Sequence, residues 1–113
     1  MPHHEALAFV GDAALALVVA ERLYADTPDA PVGVLTPQRA ELVADTRLAR
    51  WAADLGLGDL LRLGRGEEQT GGRGRASILA TTLEAVVGVV YLEAGLDGVR
   101  GVVARLVGAP MVG

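Results

Sequence analysis

EALAFVGDAALALVVAERLY, residues Glu5–Tyr24, is the stretch that decides the fold. Apolar side chains run nearly unbroken through it, β-branched residues are few, proline is absent and Gly11 is its only internal breaker. A run of this kind reads as a helix buried on most of its sides. Thr27-Pro28-Asp29-Ala30-Pro31 ends it, because proline removes a backbone donor and restricts the residue before it.

Working outward, Leu35-Thr36-Pro37 predicts a second helix, with Thr36 as N-cap and Pro37 at the first helical position. Leu42, Leu48, Ala49 and Ala52 form an apolar stripe, broken near Ala44-Asp45-Thr46. A helix from about Thr46 ends at Gly56, and a short helical piece follows through Asp59, Leu60 and Leu61. Arg62 to Arg75 is rich in glycine, holds four arginines and the pair Glu67-Glu68, and reads as a loop. Helix resumes at Ser77 and runs through Leu92 to a break at Gly95; a last helix covers about Gly98 to Leu106. With no alternating strand pattern and no repeat, the expectation is one all-α domain over residues 1–113.

Composition narrows the function. Hydrophobic residues make up 51% of the 113 and charged residues 21%, enough to bury a core and inconsistent with intrinsic disorder. The absence of cysteine excludes disulfides and thiolate metal sites. The start, Met1-Pro2-His3-His4-Glu5, lacks a signal-peptide pattern, and the longest apolar run, Ala13–Ala20, is too short to span a bilayer, so a cytoplasmic location is expected. A net charge of −4 argues against gripping nucleic acid by bulk electrostatics. All ten basic residues are arginine, a bias that genomic composition explains as readily as phosphate binding.

Several blocks then point in one direction. Glu5-Ala6-Leu7-Ala8-Phe9-Val10-Gly11-Asp12-Ala13 resembles the ribonuclease III signature E-x-L-E-F-L-G-D-A. Gly33-Val34-Leu35-Thr36 with Arg39-Ala40-Glu41-Leu42-Val43 resembles that family's G-x-L-T-x-x-R-A-x-L-V segment. Gly56-Leu57-Gly58-Asp59, Arg65-Gly66-Glu67-Glu68, Gly71-Gly72, Ser77-Ile78-Leu79-Ala80 and Leu83 to Leu92 follow in the family's order. The resemblance covers almost the whole chain. It implies an all-helical endonuclease domain that pairs as a homodimer around a valley for duplex RNA; the usual preceding helix is expected to be missing or very short, and an endonuclease domain without a double-stranded RNA-binding domain is expected.

What the resemblance implies for chemistry is a divalent-metal endoribonuclease, with Mg²⁺ (or Mn²⁺) held by carboxylates and products carrying 5′-phosphates and short 3′ overhangs. Hard cations of this kind want oxygen ligands and keep several waters. Ligand pairs at i, i+3 or i, i+4 share one helix face. The family's pairs map onto positions 8 and 12 and onto 81 and 84. Asp12 and Glu84 are present, while Ala8 and Thr81 replace two expected ligands. Glu5 lies one turn before Ala8 as an auxiliary acid, and Val32 stands where many members carry another. The Mini-III branch is similar here: Leu7-Ala8-Phe9-Val10-Gly11-Asp12-Ala13 and Thr81-Thr82-Leu83-Glu84-Ala85 follow its variant, whereas the middle of the chain resembles ordinary ribonuclease III. Structured ribosomal RNA precursors are the implied substrate.

Competing readings stay beside these. Losing two ligands also fits an impaired nuclease retained as an RNA-binding, ribosome-associated scaffold, and a third reading is a plain helical dimerisation module. Asp12 on its own could be a buried partner for an arginine such as Arg39. Phe9, the only phenylalanine, reads on spacing as core and by resemblance as a dimer anchor. His3 and His4 receive no role; Trp51 and Tyr24 read as core or rim. Arg65, Arg73 and Arg75 suit either a solvated loop or phosphate contacts, and Arg39 has a stronger claim because it lies in a matching block.

Overall fold

The computed structural model describes residues 2–57 and 72–108, with side chains from His4 to Leu57 and from Arg75 to Gly108. Four helices account for nearly all of them: α1 (Pro2–Asp26), α2 (Val32–Leu42), α3 (Asp45–Asp54) and α4 (Gly72–Leu106). No strand occurs among the described residues.

The long apolar run folds as expected and extends slightly at both ends, giving a 25-residue α1. Thr27 terminates it by turning both its backbone N–H (3.0 Å) and its hydroxyl (2.9 Å) onto the Leu23 carbonyl. The α2 boundary differs from expectation. Pro31, with φ −72° and ψ 157°, precedes the first turn, and the N–H groups of Val34 and Leu35 bond its carbonyl. Thr36 is therefore not an N-cap, and Pro37 lies inside the helix, where it forgoes one backbone bond. The preset φ of Pro31 starts the helix earlier, on a surface element that buries none of its side chains. Helix α3 ends near its predicted point, with Gly56 taking φ +81° just beyond it.

Helix α4 corrects the predicted loop at its end: Gly72 to Arg75 form its first turn. The expected piece at Asp59–Leu61 and the rest of the arginine-rich stretch lie outside the described residues. The break at Gly95 is present, with φ +69° and ψ −168°, conditions glycine meets without a Cβ penalty. Helix resumes at once, rather than at Gly98, and carries Val99 and Val103 into the core. From Arg75 to Leu106 the chain is long and apolar enough, with mean hydropathy 1.5, to match a membrane span on length and composition. The kink at Gly95 and the packing of Leu79, Leu83 and Val87 with α1 and α3 side chains give it instead the part of a core helix.

The core is a single apolar cluster. Leu15, Val18 and Val19 from α1, Leu48, Trp51 and Ala52 from α3, and Leu79, Leu83, Val87, Val99 and Val103 from α4 close against one another. Each fully buried Leu or Val contributes about 1.5–3 kcal/mol through apolar area removed from water. Leu48, Leu83 and Leu15 are wholly inaccessible, so α3 and α1 are both pinned to α4.

Candidate metal centre

The site is set by the backbone before any side chain is considered. A Cβ on Gly11 would lie 1.7 Å from the Glu84 carbonyl oxygen, and one on Gly88 would lie 2.1 Å from that of Leu7. Residue numbers rise along one helix as they fall along the other, so α1 and α4 cross antiparallel with main chains in contact. Only glycine permits this approach at the two positions. The consequence is local: Asp12 follows Gly11, and Glu84 is the residue whose carbonyl Gly11 touches.

The two carboxyl groups therefore meet. Glu84 shares a side-chain hydrogen bond with Asp12, and its carboxyl is pushed up to about 8. Burial is the largest cause, followed by that hydrogen bond and by the negative charges of Asp12 and Asp45. At neutral pH, without a cation, Glu84 keeps its proton and donates to the Asp12 carboxylate. Asp12 itself is exposed, so it is not the buried partner of Arg39, and its neighbour is another acid.

A divalent cation suits this pair. Two carboxyl groups forced together at a half-buried spot, one holding a proton through burial and the acid beside it, form an oxygen donor set that a hard cation would satisfy in the proton's place. Among the described residues no group of three His, Cys, Asp or Glu side chains converges as ligands. The pair thus fits one ion that keeps most of its coordination for water and phosphate.

The other expected residues fall at varying distances from this centre. Ala8 is buried one turn before Asp12, and Thr81 is half-buried one turn before Glu84, so neither supplies a carboxylate. Glu5 is exposed and takes part in no hydrogen bond or ion pair among the described residues. Arg39 is exposed on α2, beside a hollow of about 230 Å³ lined also by Tyr24, Leu35 and Thr36. Arg75 is half-buried in the first turn of α4; Arg65 and the Arg73 side chain lie outside the described residues. Phe9 is not core: it is 79% exposed and borders a second hollow, about 320 Å³, with Leu17, Tyr91 and Leu96.

Asp45 is the residue that sequence reasoning missed. It opens α3, and its charge reaches Glu84. The only signal was an acid at the first position of a helix, which a favourable helix dipole explains without any site.

Comparisons with known proteins identify the family. A family model described as Ribonuclease-III-like matches residues 1–110. Ribonuclease 3 of Streptomyces coelicolor is 53% identical over 106 residues, covering 94% of this chain and 38% of that protein. Ribonuclease 3 of Thermobifida fusca is 51% identical, again over 94% of this chain and 44% of its own length. The chain thus spans less than half of these relatives. Two solved structures of the nuclease domain of ribonuclease III from Campylobacter jejuni superpose with TM-scores of 0.82 and 0.81, at 39% and 38% identity, covering 92% and 97% of this chain and 73% and 76% of theirs. One of them is described as flexible in a region involved in dimer formation. With a family model over nearly its whole length and nuclease domains of the same fold, the chain belongs to the ribonuclease III-like family.

Proposed function

We propose that this chain is a divalent-metal-dependent endoribonuclease domain that hydrolyses phosphodiester bonds in double-stranded or structured RNA, with ribosomal RNA precursors among its substrates. The observation that carries this reading is the meeting of Asp12 and Glu84 across the α1–α4 crossing, with Glu84 pushed up to about 8. Mg²⁺ is the favoured ion and Mn²⁺ an acceptable one, since both take oxygen donors.

When bound, the ion supplies Lewis-acid polarisation of a water and a phosphate oxygen. The chain's own residues do the rest. Glu84 gives up its proton on binding the ion, so affinity rises with pH up to about 8. Asp12 and Glu84 would hold the ion, and the close backbone contact between their helices keeps the two carboxyl groups in fixed relation. Asp45 adds negative charge that favours the cation without needing to bind it.

The same reading includes a homodimer. Phe9, Leu17 and Tyr91 expose apolar surface around an open hollow, and Leu92 is exposed nearby on α4. A second copy of this face would cover it isologously, placing two carboxylate pairs along one duplex. A location in the cytoplasm goes with an RNA substrate of this kind.

The test is cleavage of a labelled RNA hairpin with Mg²⁺ or Mn²⁺, beside an EDTA control and Glu84→Gln. Glu84→Gln keeps the size and a hydrogen bond to Asp12 but removes the anion, so cleavage should fall by at least about a hundredfold. An intact hairpin that the folded protein still binds would favour the impaired, scaffold-type reading, which Ala8 and Thr81 support.

A further inference from the structure

A hollow of about 440 Å³ lies away from the carboxylates. It lies where the end of α1, the start of α3 and the end of α4 meet, walled by Val19, Leu23, Leu42, Trp51, Val103 and Leu106. Arg22 is ten residues beyond Asp12, about 15 Å along the helix, which sets the hollow apart from the metal centre.

Its frame carries two cations along apolar walls. Arg22 and Arg47 line it, and neither has a carboxylate partner among the described residues, although acids outnumber bases by fourteen to ten. Arg100, by contrast, is bridged by both Glu21 and Asp97. Arg47 is also held in place: its guanidinium carbon sits 5.9 Å from the centroid of the Trp51 ring, which is 4% exposed. A cation fixed over an aromatic ring keeps its donors directed outward at little entropic cost. Asp26 is the single acid among the described residues that line it.

We propose that this hollow is a docking site for an acidic peptide segment of a partner protein, one that inserts an aliphatic side chain between Arg22 and Arg47. The hollow is only partly enclosed, whereas a small-molecule site covers most of its ligand's surface. A peptide brings its own cover. The apolar walls take the anchor side chain, and the two arginines pair with carboxylates flanking it. Charge complementarity selects the partner, because the rest of this acidic protein repels such a segment. The proposal is independent of the nuclease reading.

Trp51 is the only tryptophan and lines the hollow, so its fluorescence reports occupancy. The probe is a synthetic peptide with leucines spaced for one helix face and glutamates beside them, set against a lysine version and an RNA hairpin. Expected is a saturable shift of Trp51 emission with the glutamate peptide alone, weakened by salt. Arg22→Gln and Arg47→Gln should each loosen it roughly tenfold, the usual scale for a charge-assisted pair of about 1.4 kcal/mol. Asp26→Asn should tighten it, a sign that loss of folding would not give, and circular dichroism should match the parent in all three. No saturable shift, or equal binding of the lysine peptide, overturns the proposal. So does a hairpin-induced shift abolished by Arg47→Gln, which would assign the hollow to RNA.

Discussion

The two faces of α1 are built from similar residues and meet opposite conditions. Toward α4, Ala8, Leu15, Val18 and Val19 are closed off and Gly11 touches backbone. On its outward flank Phe9 and Leu17 stand exposed, bordering a hollow shared with Tyr91 of α4. Hydrophobic content does not choose between these faces. The choice is made at Gly11 and Gly88, where only the absence of a side chain lets two helices meet main chain to main chain.

The largest effect should therefore come from one added methyl group. In Gly11→Ala or Gly88→Ala the obstacle is a carbonyl, which cannot rotate away as a side chain would, so the helices must part. Urea unfolding should show a loss of about 3 kcal/mol or more, at the upper end of overpacking costs. Hairpin cleavage should fall by at least about a hundredfold, since displacement on the scale of 1 Å is enough to do so. Gly33→Ala is the contrast: no atom lies within 4 Å of its added Cβ. It should be neutral or stabilise α2 by up to about 1 kcal/mol. Equal tolerance at Gly11 and Gly33 would break the comparison between faces.

The outward face is tested next, through association rather than folding. Phe9→Ala removes the most prominent apolar side chain from a surface already in water, so monomer stability should hardly change. If a second copy covers that face, the dimer should weaken by about 2 kcal/mol or more, as for a central aromatic anchor. Sedimentation across a concentration series distinguishes the two. A dimer unaffected by Phe9→Ala would place self-association on another surface.

How far the sequence foretold these faces depends on the kind of evidence each residue gives. Long-range apolar patterning placed α1, the break at Gly95 and the all-helical architecture. Motif resemblance paired Asp12 with Glu84 although 71 positions separate them. Boundaries governed by one residue's dihedral preference were less legible: Pro31 starts α2, and Thr36 looked the better cap. Asp45 was hidden because its role comes from tertiary proximity to Glu84, and nothing in its local spacing announces it. Asp12 illustrates a further limit. Its neighbours in sequence are apolar, which argued for burial, yet a position at the helix crossing leaves it exposed.

Glu84 sharpens the comparison by pH. Its carboxyl is raised from 4.5 in the ordinary state to about 8 in the fold. The folded protein holds the proton more tightly than the unfolded chain, so this stability is complete below about 4.5 and is lost as pH rises through about 8. Because Glu84 is only half-buried, solvent screening reduces the effect to about 1–2 kcal/mol. Thermal unfolding between these limits should show the decline, Mg²⁺ should reverse it, and Glu84→Gln should flatten it. An unchanged slope in Glu84→Gln would mean that another group titrates there.

The smallest effect belongs to the surface end of α1, and its sign is the reverse. Glu21 accepts two hydrogen bonds from Arg100, each 2.9 Å, and the guanidinium holds its carboxyl below the usual carboxylate range. This pair fastens the segment beyond the Gly95 kink to α1, and Arg100 is steadied by a further bond to Asp97 at 2.7 Å within that segment. A depressed carboxylate contributes stability at neutral pH that disappears as pH falls through its folded value, where the Glu84 contribution is fully present. Both partners are well exposed, and Val99 and Val103 already seat this segment in the core. Arg100→Gln should thus lower the melting temperature only slightly at neutral pH, and by less as salt is added or pH is lowered. A large, salt-insensitive drop would show that the ion pair, rather than the buried valines, holds the end of α4 in place.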